Sequence, residues 1–271
     1  MVTRMTKRFR FIFTYIVMLM ILGACSNSND DASNKKEVTS KSKSVELTIS
    51  AAVSLKDAMD VIQTKYQEVH SEVKLKFNYG SSGSLQQQIS QGAPVDLFFS
   101  AAEDKFDLLV EEGMIAKADG TDLLGNEIVL VVPKESSIKG FQDLKKADVG
   151  KISAGTPESV PAGKYGKESL EKMGIWKDVE SKIVYAKDVR QVLSYVETGN
   201  VDAGIVYKTD ALVSEKVVIA ETADPQTHSP IIYPVGVIKD TKNYEAAKEF
   251  YHFLTSDAAV KVFEEYGFTI K

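Results

Sequence analysis

The sequence predicts an α/β protein of two lobes, each a mainly parallel sheet flanked by helices, with a ligand in the cleft between them. Three observations carry this. From Val45 onward short β-rich runs alternate with amphipathic stretches, which is the pattern of strands and crossover helices. The alternation comes in two successive sets. The turns after the strands are rich in Gly, Ala and Ser, at the place where ligands gather in open α/β sheets.

The first set begins with VELTIS, followed by SLKDAMDVIQTKYQEVH, where Leu55, Met59, Ile62 and Tyr66 recur at helical spacing. VKLKFNY then precedes SLQQQIS, and VDLFFSA precedes EDKFDLLVEEG. The second set runs EIVLVVP, KISA before PAGKYGKESLEKMG, KIVYA before KDVRQVLSYVETG, and DAGIVY before KTDALVS. IIYPVGVI reads as one more strand, and NYEAAKEFYHFLT and DAAVKVFEEYG as two closing helices. With crossings placed near Asn126 to Pro133 and Tyr233 to Ile238, the expected organisation is a first lobe of 45–125 plus 239–271. The second lobe is 126–238, including the hinge strands. No residue-level repeat relates the two sets.

Ahead of the lobes lies a different kind of segment. Arg4, Lys7, Arg8 and Arg10 precede the apolar run FIFTYIVMLMILGA, which stops at the only cysteine, Cys25; 1–24 therefore reads as a secretory signal peptide. The run is shorter than the roughly 20 residues that a span requires. Leu22-Gly23-Ala24-Cys25 resembles a bacterial lipobox, which implies acylation of Cys25 and an anchor in the membrane. Residues 25–44 then form a polar tether, too poor in apolar side chains to offset the entropy of ordering. A lone cysteine makes no internal disulfide, so the core alone must hold the fold.

Length and composition agree with this. The 271 residues, 44% hydrophobic and 26% charged, suffice for two packed units. The net charge of −5 includes the four positive charges of the leader, so the rest carries −9, and nucleic acid is a poor partner for such a chain.

Four turns open helices at the expected strand ends: Ala51-Ala52-Val53-Ser54, Gly80-Ser81-Ser82-Gly83-Ser84, Ser159-Val160-Pro161-Ala162-Gly163 and Lys187-Asp188-Val189. A helix start presents backbone N–H groups without internal partners and about half a positive charge. Several converging on one cleft would hold an anion without any formal charge. Ser54 and Ser82 add hydroxyls, and Tyr207, at the end of Gly204-Ile205-Val206-Tyr207, offers a fifth donor. Singly, each feature has an ordinary explanation: a serine before a helix caps it, a Gly/Ser cluster turns the chain, and an aromatic at a strand end packs. Their repetition at one topological position favours the functional reading.

At these residues the chain resembles the molybdate-binding proteins of ATP-driven uptake systems. The resemblance runs from about Val45 to Lys271 and rests on AAVSLKDAM, GSSGSLQQQI, GAPVDLFFSA, LLGNEIVLVVP, PESVPAGKYGKESLEKMG, KDVRQVLSYVETG, GIVYKTDA, YPVGVI and YGFTIK. It implies a periplasmic-binding-protein-like fold of type II that closes over a tetrahedral oxyanion. The implied ligands are Ser54 and Ser82 through hydroxyl and backbone N–H, Ala162 and Val189 through backbone N–H, and Tyr207 through its phenol. Molybdenum would be bound only as the oxyanion, and no cofactor is implied. The implied partners are molybdate, tungstate and a membrane permease with its ATPase, served by a lipid-anchored monomer on the outer face of the cytoplasmic membrane. Val53, where alanine is common, and Lys187, where an acid is common, depart from the family pattern.

Donors alone suit a fully ionised dianion, whereas a protonated phosphate would turn its own hydrogen toward donors. Sulfate, the alternative ligand, is smaller and would leave some donors desolvated and unmatched. Tungstate is expected to bind as molybdate does.

Other classes fit less well. The Gly/Ser turn departs from the G-x-S-x-G elbow of hydrolases at Ser84, and none of His70, His228 and His252 lies beside a candidate nucleophile, so no enzyme is expected. Asp30-Asp31, Glu111-Glu112 and Glu264-Glu265 read as solvated charge rather than cation ligands. Asp96 reads as a structural hydrogen-bonder and Trp176 as packing. An amino-acid receptor would call for an arginine in the cleft, and only Arg190 is near; it either faces the rim or pairs with a carboxylate.

Overall fold

The chain enters the first sheet at Val45 in the computed structural model, which describes residues 44–271; the leader, Cys25 and most of the tether fall outside the described residues. The path is β1 (Val45–Ala52), α1 (Lys56–Val69), β2 (Val73–Gly80), α2 (Ser82–Ser90), β3 (Leu97–Phe99), α3 (Glu103–Glu111) and β4 (Ile115–Gly125). It continues through β5 (Ile128–Pro133), β6 (Ile152–Gly155), α4 (Pro161–Lys172), α5 (Trp176–Val179), β7 (Ile183–Ala186), α6 (Val189–Glu197), β8 (Ala203–Tyr207), α7 (Lys208–Leu212) and β9 (Val217–Thr222). β10 (Ile232–Ile238), α8 (Tyr244–Leu254), α9 (Asp257–Glu265) and β11 (Thr269–Ile270) complete it.

Two sheets result, as expected. The first has the order β11-β4-β10-β3-β1-β2 and the second β7-β6-β8-β5-β9. Each is mixed. β1 pairs in parallel with β2 and β3, and β6 with β7 and β8, whereas β10, β4 and β11 in the first sheet and β5 and β9 in the second join antiparallel. Each parallel strand is followed by a helix, because a crossover is the only short way to return in the same direction. The antiparallel pairings gather where the chain passes between sheets.

The helices dock by the faces that their sequences define. In α1, Ala58, Met59, Ile62 and Tyr66 are buried along one stripe. Central strands are covered on both faces: Ile49, Leu97, Phe99, Val235 and Val237 on one face and Phe98 on the other are all shielded from solvent. Burying each such side chain stabilises the fold by about 1.5–3 kcal/mol.

The crossings refine the expected lobe boundaries. The outward crossing takes place at Asn126 and Glu127, between β4 and β5. The return differs from the expectation, because β10 lies inside the first sheet between β3 and β4, with Val235 opposite Phe99 and Thr121. The crossing back is therefore the segment 223–231, and Tyr233 to Ile238 belongs to the first lobe. Apolarity marks a strand as buried but does not say which sheet receives it. The last two helices return to the first lobe, where α9 packs on α1 and α8 on β10.

Candidate functional site

Every expected site residue stands just beyond the carboxyl end of a strand, or at it. β1 ends at Ala52, and the one-turn 3-10 helix Val53–Leu55 carries Ser54. β2 ends at Gly80, and Ser82 is the first residue of α2. β6 leads through 156–160 to α4, whose Pro161 presets the first helical residue and puts Ala162 in the opening turn. β7 ends at Ala186, and Asp188 caps α6 by accepting the Gln191 N–H at 2.8 Å, which leaves Val189 at the helix start. Tyr207 is the last residue of β8.

The five come together. Ser54, Ser82, Ala162, Val189 and Tyr207 all line one small hollow, and all are buried. No charged side chain lines it among the described residues. Wider hollows exist elsewhere, one of them by Thr48, Asp96 and Asn243, but Asp96 is committed there to the Thr48 N–H at 2.6 Å, the Asn243 amide at 3.2 Å and Thr241. That is the structural role read from the sequence.

The site hollow is small because the lobes are closed. Gly83 N–H of the first lobe donates to Ser159 O of the second at 3.0 Å. Tyr207 donates its hydroxyl to Ala101 O at 3.3 Å, and Lys164 reaches Asp104 at 3.3 Å. Glycine is required at one of these close approaches and at another within the second lobe. A Cβ on Gly83 would stand 2.7 Å from Ser159 O, and one on Gly163 would stand 2.0 Å from Gly155 O.

Hydrogen bonds behind the hollow decide what its hydroxyls present. Ser82 Oγ accepts the Ala101 N–H at 2.8 Å, which leaves its hydrogen for a guest. Ser54 Oγ lies 3.0 Å from Tyr233 Oη, which in turn accepts from Asn126 Nδ2 at 3.1 Å. Burial pushes the Tyr207 phenol well above the ordinary tyrosine range, with Tyr233 and Tyr165 adding to it. Burial does the same to Tyr233. Both phenols stay protonated and neutral at physiological pH.

Arg190 is settled as well: it pairs with carboxylates instead of facing the hollow. Its guanidinium meets Asp57 of α1, and its Nε lies 2.6 Å from Oδ1 of the fully buried Asp210, though not along the N–H direction of a hydrogen bond. Burial, partly countered by Arg190, lifts the Asp210 carboxyl to about 6. Of the departures from the family pattern, Val53 lines the hollow, whereas Lys187 is exposed with its N–H on Gln191 Oε1 at 2.8 Å.

Two participants escaped sequence reasoning. Ala101 uses only its backbone, which no side-chain pattern signals. Tyr233 stands in the strand YPVGVI, but its approach to Ser54 depends on β10 joining the first sheet.

Relatives of known kind share this framework. Residues 47–269 match the family described as bacterial extracellular solute-binding protein. A Bacillus subtilis protein named as an ABC transporter substrate-binding lipoprotein, YvgL, is 57% identical over 98% of this chain and 99% of its own length. The molybdate-binding protein ModA of Escherichia coli is 38% identical over 83% of this chain and 89% of its own. Among solved structures, the substrate-binding domain from Clostridium difficile named for a molybdenum ABC transporter is 49% identical, covering 83% of this chain and 99% of that one, with a TM-score of 0.66. The periplasmic molybdate-binding protein of Azotobacter vinelandii has a TM-score of 0.75 over 83% of this chain and 99% of its own, at 20% identity, and shares the fold.

Proposed function

Because the chain belongs to the bacterial extracellular solute-binding protein family, we propose that it captures molybdate, and with it tungstate, and delivers the oxyanion to an ABC permease driven by an ATPase. The observation that carries this reading is the buried, charge-free hollow onto which Ser54, Ser82, Ala162, Val189 and Tyr207 converge. Backbone N–H groups of the opening turns and the hydroxyls of Ser54, Ser82 and Tyr207, the last turning its hydrogen from Ala101 O to the guest, would replace the water around a doubly charged guest. Each hydrogen bond to a charged group contributes about 1.5–3 kcal/mol. The relatives named for molybdate support the ligand, and those named for ABC transporters support the permease.

The protein releases its ligand unchanged, as a carrier and not an enzyme. A guest bridging both lobes favours the closed form and so sets the state that the permease meets. The lipobox at Cys25 supports a lipid anchor on the outer face of the cytoplasmic membrane, and we read the carrier as a monomer.

A thermal-shift panel of molybdate, tungstate, sulfate, phosphate and glutamate tests the ligand. A ligand at about 100 times its Kd stabilises the native state by about 2.7 kcal/mol. Molybdate and tungstate are expected to raise the Tm and the others to leave it nearly unchanged. A larger shift with sulfate, or none with molybdate, would overturn the assignment.

A further inference from the structure

Tyr233 and Asn126 lie behind the hollow and touch no guest, yet they fix what Ser54 can offer one. Asn126 Oδ1 accepts the Glu127 N–H at 2.9 Å, which orients the amide. Its Nδ2 then donates both hydrogens, to Thr209 Oγ1 at 2.9 Å and to Tyr233 Oη at 3.1 Å. Tyr233 is fully buried, so its own hydrogen needs an acceptor, and the remaining partner among the described residues is Ser54 Oγ at 3.0 Å. The chain of donors therefore runs from Asn126 to Tyr233 to Ser54. It leaves the Ser54 hydrogen free to point into the hollow.

The direction is costly to reverse. For Ser54 to accept a proton from a guest, its own hydrogen would have to turn back on Tyr233, whose hydrogen would then be buried without a partner. We propose that Tyr233, oriented by Asn126, is a specificity-determining residue that holds Ser54 as a donor and so discriminates against oxyanions that carry a proton. This rests on the oxyanion reading above and adds the residues that enforce it.

Selenate and hydrogenarsenate at pH 8.5 are a suitable pair, since both are tetrahedral dianions of similar size and only the second bears a hydrogen. Each is titrated by calorimetry into the full-length protein and its Asn126→Asp and Tyr233→Phe variants, with molybdate alongside and the Tm as a check on folding. Wild type is expected to prefer selenate by about 10-fold or more, the effect of one unmatched buried donor. In Asn126→Asp the carboxylate takes the Tyr233 hydrogen, Ser54 donates to Tyr233, and its lone pairs face the guest. The preference should fall by about 5-fold or more, since the added charge acts equally on both dianions. Tyr233→Phe, which frees Ser54 to rotate, should narrow it too.

An unchanged preference in the folded variants would overturn the relay, as would a wild type that binds both dianions equally. If neither variant folds, equal binding of the two dianions by the wild type still overturns the relay. Failure of the wild type to bind molybdate and selenate would instead overturn the oxyanion reading and the relay with it.

Discussion

The guanidinium of Arg190, on the second lobe, closes on the carboxylate of Asp57, on the first, beside the turn that carries Val189. The pair spans the cleft, so it exists only when the lobes are together. It also occupies the charge of Arg190, and the hollow next to it stays neutral. Asp57→Asn is expected to keep the fold and to loosen closure. Both partners retain solvent contact, with 24% and 35% of their side chains exposed, so the effect is modest: about 1 kcal/mol, or roughly 5-fold in Kd. Stopped-flow displacement should place the change mainly in the dissociation rate. A variant that releases molybdate at the wild-type rate would refute the latch.

Asp210 gives a second, independent handle on the same cluster. Its folded carboxyl titrates near 6, above the unfolded value of about 3.9. The folded state therefore binds more protons than the unfolded between these values, and the stability contributed by this group is present below pH 4 and lost as pH rises through 6. The charged and titratable neighbours are Arg190 of α6, Asp57 of α1, Tyr207 of β8 and Tyr233 of β10. Urea melts of wild type and Asp210→Asn at pH 4, 5, 6 and 7 should show the difference, wild type minus variant, declining over this range. A difference that rises with pH would mean that Arg190 outweighs burial.

Tyr207 supplies the one phenol of the hollow. Removing its hydroxyl in Tyr207→Phe should weaken molybdate binding by about 1.5–3 kcal/mol, the range for a bond to a charged group. Its other partner is the Ala101 carbonyl at 3.3 Å, a long bond whose loss the fold tolerates. Ser54→Ala and Ser82→Ala should cost less, since their backbone N–H groups remain. Calorimetry that finds Tyr207→Phe unchanged would remove Tyr207 from the ligand set.

Cys25 lies outside the described residues, and its role is tested in cells. Cys25→Ser should release the protein from the membrane fraction without altering molybdate affinity. A variant that still sediments with membranes would contradict the lipobox.

How far the sequence discloses this molecule depends on how local each feature is. The turns ending in Ser54, Ser82, Ala162 and Val189 are local, each a strand end followed by a helix start, and could be read in order. β4 could not, because Lys117, Asp119, Gly120 and Asp122 interrupt its apolar residues and its middle is partly exposed. β9 is an edge strand with little buried surface, so its run VVIAET carries no clean alternation. Partnerships were least legible. Arg190 and Asp57 are 133 residues apart and meet only across the closed cleft; Asn126 and Tyr233, 107 apart, meet only because β10 pairs with β4. The acidic charge of the chain stays out of the site: Asp57 and Asp210 are engaged with Arg190, and no carboxylate of the described residues lines the hollow.

Two glycines separate closure from folding. Gly163 packs within the second lobe, where an added Cβ would meet Gly155 O at 2.0 Å, so Gly163→Ala must push α4 off β6 and should lower the Tm of the ligand-free protein. Gly83 is different, because the atom its Cβ would meet, Ser159 O at 2.7 Å, belongs to the other lobe. In an open form that contact is absent. Gly83→Ala should therefore leave the ligand-free Tm nearly unchanged while holding the lobes apart by a few tenths of an ångström or more. Donors from α4 and α6 would then fall short of a guest seated on Ser54 and Ser82, and a hydrogen bond weakens quickly beyond its usual length. A loss of about 10-fold or more in molybdate affinity is expected, equivalent to one lost bond. Calorimetry paired with melting separates the outcomes: equal losses of Tm in both variants would mean that Gly83 supports the fold and not closure.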